Sequence, residues 1–127
     1  MTPQASAPVI LIVEDERELA YSLRQALQAK GYQAKTALNG FEALSVLETT
    51  QPAAVILDLS LPGLSGLELL QRVRSLAART KILVVTGHSQ EFGHLASQLG
   101  VSEVLQKPVT LDVLLASVAR LVPAAAH

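Results

Sequence analysis

The sequence predicts an α/β fold in which five parallel strands alternate with five helices in a doubly wound sheet. Short, uninterrupted apolar runs rich in β-branched residues are typical of strands buried on both faces, and the longer segments between them carry apolar residues every three or four positions. The chain has 127 residues, 50% of them hydrophobic and 17% charged, so it can bury one core. Strands separated by helices pair in parallel through right-handed crossovers, for which 2-1-3-4-5 is a common strand order.

The first half of the chain supplies three predicted strands and two helices. The strands are Val9–Val13, Gln33–Ala37 and Ala54–Leu57. The first helix runs up to Lys30 and stops at Gly31, a residue that favours helix ends. Its apolar stripe is Leu19, Leu23, Ala26 and Leu27. The second helix ends before Pro52, and its stripe of Phe41, Leu44 and Leu47 predicts that these three residues lie in the core.

The second half supplies two strands and three helices. The strands are Ile82–Val85 and Glu103–Leu105. Ser65 and Glu68 have the spacing of a capping box at the start of the third helix, and Thr110 is placed to cap the last one. The apolar stripes of the three helices are Leu67, Leu70 and Val73, then Phe92, Leu95, Ala96 and Leu99, and finally Leu111, Leu114, Leu115, Val118 and Leu121.

Composition excludes several classes of protein. Ten basic and eleven acidic residues give a net charge of −1, which argues against a domain that binds nucleic acid through charge. No apolar run has the length of a membrane helix, and the absence of cysteine excludes disulfides and thiolate metal sites. Because the first residues do not resemble a secretory signal, we expect a cytoplasmic protein with one domain over residues 9–122, between flexible tails at 1–8 and 123–127.

Polar side chains follow four of the predicted strands. Glu14 and Asp15 come after the first strand, Asp58 after the third, Thr86 after the fourth, and Lys107 after the fifth. Ligands of open parallel sheets bind at the carboxyl ends of the strands, so these side chains are expected to meet. Clustered carboxylates without sulfur ligands suit Mg²⁺, and a lysine with a hydroxyl suits a phosphoryl group. The pattern predicts a phosphoryl site in which a carboxylate can act as nucleophile.

These residues, taken in order, resemble the receiver domain of two-component response regulators over about residues 9–122. The matching segments are IVEDE at 12–16, LDLSLPGLSG at 57–66, VTG at 85–87 and KP at 107–108. Each segment alone is a weak signal, whereas the ordered set is specific. The resemblance implies the flavodoxin-like receiver fold and a cytoplasmic, phosphorylation-dependent signalling switch rather than an enzyme with a separate substrate.

The resemblance also implies roles for individual residues. Asp58 would accept a phosphoryl group from a sensor histidine kinase, a phosphotransfer protein or a small phosphodonor. Lys107 would contact the phosphoryl oxygens, and Thr86 would swing toward the phosphoryl group and carry the signal outward. The residues implied in Mg²⁺ binding are Asp15, Asp58, Ser60 through its backbone carbonyl, and Glu14 mostly through water. The Lys107–Pro108 peptide bond is commonly cis in the family.

Positions 104 and 109 depart from the family pattern, and Ser60 and His88 also differ from the family's common residues at positions that tune how fast the phosphoryl group is lost. Val104 stands where an aromatic residue is usual on the fifth strand, so aromatic rotation coupled to Thr86 is not available here. Val109 stands where phenylalanine is frequent. The family also forms homodimers through the face of the fourth helix, fifth strand and fifth helix. Two alternatives stay open at this point: a degenerate receiver that only binds proteins, and a flavodoxin-like cofactor carrier, which the acids at 14–16 disfavour.

Overall fold

The computed structural model describes residues 7–59, 66–87, 94 and 97–124. Five parallel strands form one sheet in the spatial order β2-β1-β3-β4-β5, as the sequence predicts. The strands are β1 (Val9–Val13), β2 (Gln33–Ala37), β3 (Ala54–Asp58), β4 (Lys81–Thr86) and β5 (Glu103–Gln106). The helices are α1 (Arg17–Ala29), α2 (Gly40–Thr49), α3 (Gly66–Leu76) and α4 (Leu111–Leu121).

The fourth predicted helix falls largely outside the described residues. His94, Ser97 and Gln98 are described, and all three are helical. Helix α4 is therefore the fifth helix of the prediction. Phe92, Ser65 and most of the two predicted tails also lie outside the described residues. None of the helices in the described part of the chain has the length and hydropathy needed to cross a membrane.

Helices cover both faces of the sheet because successive strand residues point to opposite sides. On one side, strand residues such as Ile12 and Ile56 pack with α1 and α4. On the other side, Val13, Leu57 and their neighbours pack with α2 and α3. The central strands β1, β3 and β4 are consequently buried on both faces, as their continuous apolar runs indicate, whereas the edge strands β2 and β5 keep exposed residues.

The helix starts show both a confirmed prediction and a wrong one. The Thr110 side chain accepts a hydrogen bond from the backbone N–H of Val113 at 3.3 Å, which confirms it as the cap of α4. Phe41 was expected in the core but is 63% exposed. The buried stripe of α2 starts at Gly40 and continues through Ala43, Leu44 and Leu47. Phe41 therefore lies about 100° around the helix from the start of that stripe.

Candidate functional site

Three carboxylates meet at the carboxyl end of the sheet. Val13 of β1 is the register partner of Leu57 of β3, so the residues that follow them, Glu14 and Asp58, lie side by side. Asp58 is the last residue of β3 and is only 3% exposed. Carboxylate oxygens of Glu14, Asp15 and Asp58 lie within 4.8 Å of one another. The structure thus brings together acids from two distant segments of the chain.

Lys107 follows β5 and reaches the same place. Its Nζ donates a hydrogen bond to Oδ2 of Asp58 at 2.8 Å, forming an ion pair. Its backbone N–H donates to the carbonyl of Thr86 at 2.8 Å, which ties the lysine to the end of β4. The Lys107–Pro108 peptide bond is cis. A cation therefore stands beside the buried carboxylate.

Crowding of the acids alters the protonation of Glu14. Burial, followed by the charge of Asp58 and a hydrogen bond with Asp15, raises the pKa of Glu14, and the net pKa is about 7. The backbone N–H of Glu16, which donates to Oε2 of Glu14 at 3.1 Å, and the charge of Lys107 act in the opposite direction. Like charges in a partly buried cluster resist ionisation unless a cation joins them.

The surroundings of Lys107 favour its charged form, whereas those of Glu14 disfavour the carboxylate. Burial on its own lowers the pKa of an ammonium group, but the hydrogen bond from Lys107 to Asp58 and the charges of Asp58, Glu14 and Asp15 outweigh burial. The pKa of Lys107 is therefore raised above its ordinary value. The lysine stays positively charged at neutral pH, which is the form that attracts phosphoryl oxygens.

The donor set fits Mg²⁺. The cluster offers carboxylate oxygens only, and hard divalent cations prefer oxygen ligands. Glu14, Asp15 and Asp58 are close enough for each to contribute one oxygen to a single ion. Ser60, the remaining predicted ligand, lies outside the described residues.

Thr86 ends β4 and is almost fully buried, with 3% of its surface exposed. Strand alternation places its side chain on the α2 and α3 side with Val84, whereas Asp58 shares the opposite side with Ile56. Within the described part of the chain, no atom outside the neighbours of Gly87 comes within 4 Å of the position that a Cβ would occupy there.

A cavity of about 260 Å³ adjoins the Asp58–Lys107 ion pair on the α1 and α4 side of the sheet. The residues that line it are mostly apolar, and Val109 is one of these lining residues. The other lining residues are Ile12, Val13, Glu14, Glu16, Leu19, Leu23, Ile56, Asp58, Val85, Lys107, Pro108 and Leu114. The short side chain of Val109, at a position where the family often has phenylalanine, contributes to this open space beside the site.

Sequence reasoning missed Gln106, the last residue of β5. Its side-chain Nε2 donates to the carbonyl of Gly87 and to the carbonyl of Lys107, each at 2.9 Å. Both acceptors are backbone atoms, which leave no mark in a sequence. The available signal was positional, since a polar residue two positions after Val104 falls on the same side of the sheet as Thr86.

Comparison with known proteins identifies the family. A family model described as the response regulator receiver domain matches residues 10–119. The chain belongs to the response regulator receiver domain family. Receiver domains act in two-component signalling and bind Mg²⁺ in an acidic pocket, so the class of protein expected from the sequence is confirmed.

Several relatives match along most of this receiver domain. It is 38% identical over 108 residues to response regulator MprA of Mycobacterium sp. (strain KMS), covering 84% of this chain and 47% of the relative. It thus spans about half the length of the curated relatives it matches.

Solved structures share the fold. A CheY-like receiver domain protein from Methanospirillum hungatei JF-1 has a TM-score of 0.84 at 30% identity, with 91% of this chain and 93% of that one covered. Response regulator protein TrrA from Thermotoga maritima, solved in complex with Mg(2+)-BeF, has a TM-score of 0.78 at 35% identity, covering 91% of this chain and 99% of TrrA.

Proposed function

We propose that this receiver domain is a signalling switch that accepts a phosphoryl group on Asp58. The observation that carries the proposal is the surroundings of this one carboxylate. Asp58 is buried at a strand end, bound to the Lys107 ammonium group at 2.8 Å, and grouped with Glu14 and Asp15 within 4.8 Å. A structural ion pair needs one acid and one base, and two further acids are surplus to that purpose.

The chemistry follows from what each side chain offers. An Oδ atom of Asp58 attacks the phosphorus of the donor, a new O–P bond forms, and the bond from phosphorus to the leaving group breaks. Phosphoryl transfer depends mainly on positioning and charge neutralisation rather than on covalent work by other residues. Lys107 lies beside the attacking oxygen, so its ammonium group can follow the negative charge onto the phosphoryl oxygens.

Mg²⁺, held by Asp15, Asp58 and the Ser60 carbonyl with Glu14 acting mostly through water, would neutralise negative charge at the phosphoryl oxygens. The donor would be a phosphohistidine on a sensor histidine kinase or phosphotransfer protein, or a small acyl phosphate. Thr86 would then move toward the phosphoryl group and carry the signal outward. TrrA, solved with Mg(2+)-BeF, supports this proposal at 35% identity.

Intact-mass spectrometry after incubation with acetyl phosphate and Mg²⁺ tests the proposal. We expect the wild-type chain to gain the mass of one phosphoryl group and Asp58→Asn to gain none, because an amide is not a nucleophile at neutral pH. Asp112→Asn is the matched control, since Asp112 is an exposed acid in the first turn of α4 and should leave the gain intact.

A phosphoryl adduct that survives Asp58→Asn would refute the assignment of the acceptor. No adduct on the wild-type chain would favour the alternative, a degenerate receiver that acts only through protein contacts. The cofactor-carrier alternative predicts a tightly bound chromophore after purification, and membership of the receiver family does not favour it.

The remaining parts of the proposal concern partners. Output would pass through protein contacts, including a homodimer through the face that contains β5 and α4, and this domain would bind no nucleic acid itself. A cytoplasmic location and domain bounds of 9–122 stay predictions.

A further inference from the structure

The side chain of Gln106 adds to the backbone hydrogen bonds that join the end of β4 to the end of β5. Thr86 and Gln106 are register partners in neighbouring parallel strands. The amide nitrogen of Gln106 donates to the carbonyl of Gly87, the residue after Thr86, at 2.9 Å. The same nitrogen donates to the carbonyl of Lys107 at 2.9 Å. One amide therefore joins the residue that follows Thr86 to the residue whose ammonium group binds Asp58.

This connection opposes the movement that the proposed function requires of Thr86. The Thr86 side chain shares a side of the sheet with Val84, and Asp58 points to the other side with Ile56. The Thr86 hydroxyl can meet a group carried by Asp58 only if the end of β4 turns. Gly87 directly follows Thr86, so a turn at the end of β4 also moves the Gly87 carbonyl. That movement breaks the hydrogen bond that the Gln106 side chain donates to this carbonyl.

Position 104 explains why Gln106 has this role in this chain. Val104 and Gln106 are the two β5 residues on the side of the sheet where Thr86 lies. Val104 has a short apolar side chain that packs against the α2 and α3 core and offers no hydrogen bond. Gln106 is the polar one of the two, and it is exposed, so its side chain can leave the Gly87 carbonyl for water.

We propose that Gln106 is a positioning residue that holds the end of β4 in its resting conformation, and that phosphorylation releases it. The inference rests on the proposed function, because it assigns a resting state to the switch at Asp58. Release frees the Gln106 amide on the β5 surface while Thr86 turns toward the phosphoryl group. Phosphorylation of the buried Asp58 thereby makes the Gln106 amide available for hydrogen bonding on the exposed face of β5.

Beryllium fluoride with Mg²⁺, a mimic of the phosphoryl group, provides the test. Gln106→Met keeps the length of the side chain and removes its two N–H donors. The resting conformation then lacks the hydrogen bonds to the Gly87 and Lys107 carbonyls and is less stable relative to the active one. We expect the variant to bind the mimic roughly three- to tenfold more tightly than the wild-type chain, the equivalent of one typical hydrogen bond. Damage to the fold would weaken binding instead, so a tighter affinity distinguishes a switch role from a structural one.

Gln25→Met is the matched control. The Nε2 of Gln25 donates to the hydroxyl of Tyr21 on the exposed face of α1, so the substitution removes an equivalent amide away from the site. We expect this variant to bind the mimic with wild-type affinity.

Nuclear magnetic resonance supplies a direct signature. The side-chain amide resonances of Gln106, identified by their loss in Gln106→Met, should move on addition of the mimic toward the values of a water-exposed amide. Equal affinities for wild type and Gln106→Met, or Gln106 resonances that stay in place, would overturn the inference and leave phosphorylation of Asp58 standing. A wild-type chain that does not bind the mimic at saturating Mg²⁺ would overturn both.

Discussion

The two ends of the sheet differ in how their polar side chains are paired. At the amino end, Arg74, Thr80 and Tyr32 all donate to backbone carbonyls. The Arg74 guanidinium reaches the carbonyls of Ala78 and Gly100 at 2.8 Å each, and further donates to Ala77, Thr80 and Leu99. Thr80 donates to Pro52 at 2.8 Å, and Tyr32 donates to Val122 at 2.6 Å.

At the carboxyl end, the clustered carboxylates of Glu14, Asp15 and Asp58 lie near one ammonium group, that of Lys107, among the residues that the structure describes. Lys107 pairs with Asp58, while the pKa of Glu14 rises to about 7 because its charge is poorly accommodated. Side-chain donors that bind neutral carbonyls have their hydrogen-bonding capacity satisfied within the fold. Carboxylates close to one another repel, and a bound cation is needed to offset that repulsion. The comparison indicates that side-chain donors at one end of the sheet stabilise the fold, whereas the other end stores unfavourable charge.

The largest expected effect is at the amino end. Arg74→Met keeps the apolar part of the side chain but leaves carbonyls of the α3 end and of the segment before β5 without their donor. We expect the free energy of unfolding to fall by about 2–3 kcal/mol, since hydrogen bonds from charged donors are the stronger kind. Chemical denaturation followed by circular dichroism measures this loss.

Arg72→Met is the control for Arg74. Arg72 lies two residues earlier in α3 and is exposed, so its loss should change the free energy of unfolding by less than about 0.5 kcal/mol. Equal losses for the two arginines would show that the carbonyl contacts of Arg74 do not set stability at this end. Phosphoryl transfer to Asp58 should survive both substitutions.

An intermediate effect, of mixed sign, is expected at the carboxyl end. Asp15→Asn removes a negative charge beside Asp58 and the partly protonated Glu14, so the metal-free protein should become more stable by up to about 1 kcal/mol at low ionic strength. The same change should weaken Mg²⁺ binding about tenfold or more, because a carboxylate ligand is lost. Thermal unfolding with and without Mg²⁺ measures both.

Glu18→Gln is the matched control for Asp15→Asn. Glu18 is an exposed acid in the first turn of α1 and is not part of the carboxylate cluster. Its substitution should leave Mg²⁺ binding unchanged. If Asp15→Asn lowered the stability of the metal-free protein, the idea that this end stores unfavourable charge would be wrong.

The difference between the two ends also explains what could be predicted from the sequence. The acidic site was predictable because parallel strands deliver their last residues to one edge, and Glu14, Asp58 and Lys107 each follow an apolar run. The predicted third strand ended at Leu57, one residue early, because an acid is unusual within a buried strand. Pairing of Asp58 with Val85 extends the ladder by that residue.

Hydrogen bonds from side chains to backbone carbonyls were not predictable. Arg74 and Gln106 look like ordinary polar residues of a helix and a strand end, and their acceptors are carbonyls that every residue carries. Phe41 was misplaced for a related reason, since the spacing of Phe41, Leu44 and Leu47 fits a stripe that in fact begins at Gly40. Packing between segments distant in the sequence, rather than local sequence pattern, determines the contacts of Arg74 and Gln106 and the exposure of Phe41.

The smallest expected effect concerns Tyr32, at the amino end. Burial raises the pKa of the Tyr32 hydroxyl above its ordinary value. The unfolded chain ionises this tyrosine near pH 10, while the folded chain still binds the proton, so stability from Tyr32 is complete below about pH 10 and falls as pH rises through the folded pKa. Tyr32→Phe removes the hydrogen bond to Val122 and should cost about 1 kcal/mol at pH 8.

The cost of Tyr32→Phe should shrink above about pH 10, because the phenylalanine variant has no proton to lose at this position. Urea unfolding of both proteins across that range tests the expectation. Tyr21→Phe leaves Tyr32 as the sole tyrosine, so ultraviolet titration of that variant follows its ionisation directly. A cost that stayed constant with pH would mean that the hydroxyl acts through packing alone, and that the amino end of the sheet is not held by the proton that Tyr32 donates.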